Sequence, residues 1–375
     1  MGRFMIAHLQ NGALGSSRIL QEATAVKMHG TASTMIPPLN RMLLGFYENN
    51  INGHRVITHA GDTQWFHSEL NLFPDDGVGL SISVNSLGKD GAAGPIRSML
   101  FKQFGDRYFP GPSQEGMVDA KTAKDHARLM AGRYSLSRRS HTTFLAVLNL
   151  LGQVKVTADD KGAIAVPILK GPGEGPKKWR EIAPFVWRNV DSGDRLAAKV
   201  QGGRVVRFGD DEYPFMVFEP VPWWWSSAWL LPLWIAALVA LAITVLAWPV
   251  SALVRRRYGA AYGLAGADAK AHRVVRIASV LVLATMLAWA IAIGLISSDF
   301  DWASPNSDTW ISLLRVLSAL LFFLGAALAL WNAWVVLRSE RRWLAKFWSV
   351  ILAVSCLTVL YVGLVFHLIG YSANY

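Results

Sequence analysis

Cysteine is almost missing from this sequence. A single one, Cys356, stands among 375 residues, inside an apolar run. No disulfide can form within the chain, and no metal site can be built on thiolates. The opening residues, MGRFMIAHLQNGALG, lack the charged start, apolar centre and small-residue cleavage site of a secretory signal. They read instead as a short amphipathic helix with Phe4, Met5 and Leu9 on one side, closed by Asn11-Gly12. A phosphate-binding loop is missing too. The stretch GPGEGPKK has no Ser or Thr after its lysines, and neither a strand before it nor a helix after it is expected. Nucleotide binding is therefore not expected, nor any cofactor or metal.

Acidic residues are scarce beside basic ones, 26 Asp+Glu against 37 Lys+Arg, for a net charge of +11. Such a balance can mark a nucleic-acid binder. Here, however, the cations of the last third lie in clusters between apolar runs, which is the pattern of membrane topology, and no nucleic-acid partner is expected. From Trp223 onward there are 11 Lys+Arg and 5 Asp+Glu, which leaves 26 and 21 for the first 222 residues. The first part is thus an ordinary charged globular stretch, and the apolar excess follows it.

Four apolar runs, at about 228–254, 274–297, 311–337 and 347–369, each exceed the roughly 20 residues that cross a ~30 Å hydrocarbon layer. The loop after the first carries Arg255, Arg256, Arg257, Lys270 and Arg273, and the loop after the third carries Arg338, Arg341, Arg342 and Lys346. The middle loop, SSDFDWASPNSD, has three aspartates and no basic residue. The excess of cations puts loops one and three in the cytoplasm and both chain ends outside. In a bacterial cell this means a multi-pass inner-membrane protein with residues 1–222 and the C-terminus on the periplasmic side. Tryptophans 223–225, 302 and 310 suit the outer interface, and Trp343 and Trp348 the inner one. Arg315 falls within a span, one turn from its outer end, where snorkelling would serve it. His367 reads as interfacial, and no polar stripe along the spans suggests a channel.

Residues 1–110 alternate helix and strand signals. A helix is expected over 17–29, and strands over 44–47 and 55–59 around the hairpin signal Asn52-Gly53. Two further strands, 65–73 and 77–84, flank the turn Pro74-Asp75-Asp76-Gly77, and a helix follows over 93–105. A linker rich in Pro, Gly and Ser (109–116) and a polar helix (120–131) lead onward. Short alternating runs follow at 132–136, 152–158, 164–167, 184–189, 195–200, 205–208 and 215–218, at the spacing of a small β-barrel or sandwich. The fold class is α+β: a sheet region over 1–110, a linker over 111–131, an all-β domain over 132–222 and four transmembrane helices over 223–375.

The block starting at Ile57, ITHAGDTQWFHSELNLFPDDGVGLSISVNS, resembles the last motif block of the serine hydrolases related to class C β-lactamases and penicillin-binding proteins. The upstream GRFMIAHLQNGALGSSRILQEATAVKMH resembles the helical segment that precedes that block in the family. There His-x-Gly often replaces Lys-Thr-Gly on the strand beside the active site, and here the triplet is His59-Ala60-Gly61. The resemblance covers about residues 1–108. It implies that the Asp62 N–H contributes to an oxyanion hole, that His59 places a donor near substrate, and that Gly61 permits close backbone approach. The residues taken alone would also fit a satisfied strand histidine and a bulge glycine. The family's other motifs, Ser-x-x-Lys and then Tyr-x-Asn, should precede this strand. Ser86-Leu87-Gly88-Lys89 matches the first but follows the strand in a glycine-containing loop. Tyr47-Glu48-Asn49 matches the second but lies ten residues before His59, on the same hairpin. Neither is expected to be catalytic, and the chain is expected to be a truncated C-terminal portion of a hydrolase, inactive alone. Its partners would be the lipid bilayer and a peptidoglycan, peptide or ester substrate. The alternatives are a non-catalytic membrane protein whose β-domain binds the cell envelope or a partner, and a sensor or transporter accessory subunit.

Overall fold

The computed structural model describes residues 1–111, 116–170 and 175–371. Residues 112–115 of the expected linker and 171–174 of GPGEGPKK lie outside the described residues. The chain falls into two compact units. One is Met1–Arg138 with Val154–Val221, the other Arg139–Gln153 with Pro222–Tyr375.

The first unit opens with helix α1 (Gly2–Leu9), a tiny hairpin of β1 (Ala13–Leu14) and β2 (Ser17–Arg18), and helix α2 (Glu22–Gly30). The helix expected over 17–29 therefore starts only at Glu22. Ser17 and Arg18 pair with Leu14 and Ala13 instead, because Gly15 takes a left-handed φ of 60° and folds the chain back. Strands β3 (Tyr47–Glu48), β4 (Ile57–Asp62), β5 (His67–Phe73) and β6 (Val78–Val84) form an antiparallel sheet in sequence order. The expected hairpin turn is present: Asn52 and Gly53 both have positive φ, 52° and 86°, as the tight primed turn requires. Helix α3 (Ala93–Tyr108) follows.

Helices cover both faces of this sheet. Ile57, Leu70 and Leu72 pack with Leu43 and Phe46 on one face, with Met5 and Leu9 of α1 and Met28 of α2 against them. Phe73 and Ile82 pack with Phe101 of α3 on the other. Strand alternation sends neighbouring residues to opposite faces, so each strand feeds both layers.

Helix α4 (Ala120–Met130) starts where the Asp119 side chain accepts the Thr122 N–H at 3.0 Å. Eight strands then make one antiparallel sheet: β7 (Gly132–Leu136), β8 (Val154–Ala158), β9 (Ile164–Ala165), β10 (Trp179–Ala183), β11 (Val186–Asn189), β12 (Arg195–Gln201), β13 (Arg204–Asp210) and β14 (Val217–Pro220). Their order is β10-β11-β12-β13-β14-β7-β8-β9, and the end strands β9 and β10 approach each other, so the sheet is nearly closed. A single curled sheet thus replaces the choice between barrel and sandwich. Its interior holds Tyr134, Trp179, Trp187, Leu196 and Phe208, with Ala127 and Met130 of α4 against them. The sequence pattern missed β10, because only Trp179 and Glu181 of this charged strand turn inward, and one of them is a carboxylate. Glu181 is buried because the His126 Nδ1 of α4 lies 2.7 Å away.

The second unit begins with the short helix α5 (Leu148–Leu151), inside a segment whose Phe144 ring lies 5.2 Å from Trp289. Four long helices follow: α6 (Leu230–Arg257), α7 (Gly266–Ser298), α8 (Pro305–Arg338) and α9 (Trp343–Val365). Each is long and apolar enough to cross a membrane, which makes this a multi-pass membrane protein whose helices suit contact with lipid. Helix α6 packs on α7 and α9, and α8 packs on the same two. Buried hydroxyls between them return to their own helix: Thr244, Ser279, Thr285, Ser318 and Thr358 each donate to the carbonyl four residues back. Arg315 departs from the expected snorkelling. It is buried, and its Nη2 donates to the Ile369 carbonyl at 3.3 Å, because the chain beyond α9 turns back over it.

Candidate functional site

Strand β4 lies between β5, which pairs with all of it, and β3, which reaches only Ile57 and Thr58. From His59 to Asp62 one edge is therefore left without a strand partner among the described residues. The direction of its N–H groups follows from the ladder. The Asn49 N–H donates to the Val56 carbonyl at 2.9 Å, and β3 and β4 run on in antiparallel register from there, so the even-numbered positions of β4 aim at the β3 side. The Asp62 N–H, two residues beyond Ala60, thus points to the open edge.

The three residues singled out from the sequence have different surroundings. His59 is exposed, with its ring 6.1 Å from that of Tyr47. Gly61 has ordinary φ, and a Cβ built on it would meet no atom within 4 Å. Neither backbone strain nor packing in this chain demands a glycine there. Asp62 ends the strand with its carboxylate turned to α3: Arg97 Nη1 lies 3.0 Å and His67 Nδ1 2.8 Å from Oδ1. Burial pushes this carboxyl up, but the hydrogen bonds from Arg97 and His67 outweigh it and hold it below its ordinary range.

Behind the strand lies a buried charged layer that the sequence reading did not anticipate. Arg97 also donates to the Ser68 carbonyl at 3.1 Å and lies 3.3 Å from Glu69, which is 9% exposed. Burial pushes the Glu69 carboxyl above its ordinary value, and Arg97 opposes this. Tyr47 completes the layer; burial, with the Glu69 charge beside it, raises its phenol to about 12. Its ring meets Phe215 edge-on at 5.2 Å, which brings the β13–β14 loop of the eight-stranded sheet to this cluster. The legible signal was Arg97 itself. Ala93, Arg97, Phe101 and Gly105 form the buried stripe of α3 at four-residue spacing, and an arginine on such a stripe calls for a buried carboxylate.

The two rejected motifs separate on inspection. Ser86 and Lys89 do not share a helix: Ser86 sits in a bend, its Oγ accepting the Gly88 N–H at 3.0 Å, and Lys89 starts a separate three-residue turn. Tyr47, by contrast, does reach the site, but as part of the wall beneath His59. The loop after β4 presents Trp65 and Phe66, 67% and 54% exposed.

Fold and site together define a multi-pass membrane protein of mixed α/β architecture, with a nearly closed eight-stranded sheet and an open strand edge. No protein-family model matches the sequence, and no curated protein matches it. Among solved structures it is similar to SurE, at 14% identity over 58% of this chain and 47% of that one, with a TM-score of 0.34. It is similar to SurE with D-Leu at 14% identity over 54% and 44%, TM-score 0.32. It is also similar to the octameric penicillin-binding protein homologue from Pyrococcus abyssi at 13% identity over 54% and 40%, TM-score 0.24. The chain spans less than half the length of each of these structures.

Proposed function

We propose that this chain is the membrane-anchored C-terminal portion of a serine hydrolase related to class C β-lactamases and penicillin-binding proteins, with an esterase- or peptidase-like activity. The carrying observation is the Asp62 N–H aimed at the open edge of β4, beside exposed His59 and the free space over Gly61. An acyl group laid along this edge would pair with main-chain groups, and its oxyanion would take the Asp62 N–H. His59 would add a donor to the developing charge. Arg97 and His67 hold Asp62 from behind, which keeps the strand end in place without using its N–H.

A serine nucleophile must be deprotonated by a positioned base. Among the described residues no helix carries Ser and Lys one turn apart in the required order, so this reading assigns nucleophile and base to a segment that the sequence does not contain. A fluorophosphonate or penicillin probe should leave this chain unlabelled. A version extended upstream to include Ser-x-x-Lys should be labelled, and His59→Ala should slow it by about 2–4 kcal/mol in the transition state, as for a lost oxyanion donor. Specific labelling of the chain at Ser86, abolished by Ser86→Ala or Lys89→Ala, would overturn the assignment. The missing nucleophile equally supports a second reading, a non-catalytic membrane protein that binds cell-envelope material.

The cation-rich loops support an orientation with loops one and three in the cytoplasm and residues 1–222 on the periplasmic side. Reporter fusions after Arg257 and Arg342 are expected to read cytoplasm, and a fusion near Pro305 the exterior. An exterior signal after Arg257 would reverse the topology.

A further inference from the structure

The connection between β7 and β8 belongs, from Arg139 to Gln153, to the helical unit rather than to the sheet. Both of its ends are fastened just before α6 begins. The Gln153 side-chain amide donates to the Trp225 carbonyl at 3.0 Å, and its Oε1 accepts the Ser227 N–H at 2.8 Å. The Arg139 guanidinium carbon lies 5.7 Å from the Trp225 ring. Between these anchors runs FLAVLNLL, Phe144 to Leu151, eight residues with a single polar side chain. Such a run is far too short to cross a ~30 Å hydrocarbon layer.

The middle of the connection reaches well down the helices. Phe144 is fully buried, and its ring lies 5.2 Å from that of buried Trp289. Trp289 stands nine residues before the end of α7, about 14 Å along the axis at 1.5 Å per residue. The stretch of α7 beyond it is apolar, and Ile291 is exposed there. The backbone of the connection suits such depth because it is helical: a 3₁₀ turn over Phe144–Val147 runs directly into α5. The Ala146 N–H donates to the Thr143 carbonyl and the Gly152 N–H to the Leu148 carbonyl, both at 2.9 Å. Asn149, the one polar side chain of the run, donates to the Ser140 carbonyl at 2.7 Å. Phe144, Ala146, Val147 and Leu150 turn inward, which leaves Leu148 and Leu151 outward, 40% and 63% exposed.

We infer that Phe144–Leu151 is a re-entrant segment, which dips into the hydrocarbon and leaves by the face it entered, with Leu148 and Leu151 against lipid acyl chains. Its two anchors sit together at Trp225, while its middle lies at the depth of Trp289, and only a dip joins those levels. A segment that merely capped the helices against water would carry polar side chains on its outer side, and here that side carries leucines. Its polar groups are satisfied within the segment, as hydrocarbon requires. The outward leucines thereby continue the apolar surface that Ile291 presents on α7. The inference rests on the four spans lying in a membrane and is independent of any hydrolase activity.

The test uses the full chain in vesicles of phosphatidylcholine and phosphatidylglycerol. Photolabelling with a membrane-partitioning aryl azide needs no variant. Peptides covering 144–151 are expected to carry label as those of α8 do, while peptides of the β12–β13 hairpin stay bare. Label on α8 with none on 144–151 would overturn the dip and leave the spans intact. A nitroxide at Leu148→Cys or Leu151→Cys gives a second readout, since both side chains point outward and their loss spares the packing. The native Cys356 is buried, and the parent chain supplies the labelling background. Collisions with dissolved oxygen should exceed those with a water-soluble nickel chelate, as at Ile291→Cys, and the ratio should invert at Asp160→Cys in an exposed turn. Nickel collisions at both leucine positions equal to those at Asp160→Cys would place the segment in water and overturn the inference.

Discussion

Replacing Lys177 with methionine is expected to destabilise the eight-stranded sheet by about 1.5–3 kcal/mol, the usual cost of removing charged hydrogen bonds from half-buried carboxylates, here Asp194 and Glu212. The Lys177 side chain is only 5% exposed, and its Nζ lies 3.0 Å from both Asp194 and Glu212. Asp210 belongs to the same cluster and is buried, its Oδ1 accepting the N–H groups of Glu212 and Tyr213. Burial first, and then the Glu212 charge, push its carboxyl up to about 7 even with Lys177 nearby. Without the ammonium, whose charge opposes this rise, the Asp210 carboxyl would favour protonation in the folded state still more. Groups whose folded pKa exceeds the unfolded one bind more protons when folded, so stability falls as pH rises through that interval. The deficit of Lys177→Met is therefore largest above about pH 7 and shrinks as pH drops toward 4. Pulse proteolysis of the full chain across this range measures it. A variant as resistant as the parent at pH 8 would remove Lys177 as the keystone of the sheet.

The second large effect is expected at the site. Arg97→Met should cost about 3 kcal/mol or more, because it removes the cation 3.3 Å from Glu69, a carboxyl that is 9% exposed. Asp62 contributes less to this loss, since its carboxylate is 54% exposed and water can replace the guanidinium. The double variant Arg97→Met with Glu69→Gln should regain most of the stability, since a neutral amide leaves no bare charge. A double-mutant cycle on the full chain decides this. If the second change brings no recovery, the buried pair is not the reason Arg97 matters. Labelling of an upstream-extended chain supplies a separate readout, because a loosened β4 end would misplace the Asp62 N–H.

Much of this was readable along the chain because the signals are local. Four long apolar runs, one of them carrying Arg315, can only be satisfied by helices in lipid or a very large core, and length and composition identified them. Asn52-Gly53 and the Asp76-Gly77 turn announced their hairpins because few residues tolerate a left-handed φ, and β6 alternates between buried or half-buried and exposed positions as a period-two strand does. His59 and Gly61 stood out through a motif confined to three positions.

The remainder depends on partners far apart in sequence. Arg97 meets Asp62 across 35 residues, and Tyr47 meets Phe215 across far more, so neither segment carries a mark of the other. Strand β10 was invisible because its buried Glu181 looks polar until His126 of α4 is brought to it. Arg315 looked like a snorkelling cation until the Ile369 carbonyl folded back over it. The sequence by itself determined where chain can turn and which stretches must leave water, since those follow from backbone sterics and apolar area. Only the tertiary structure decided which charges could be buried, because a charge leaves water only where another part of the chain brings its counter-charge or donor.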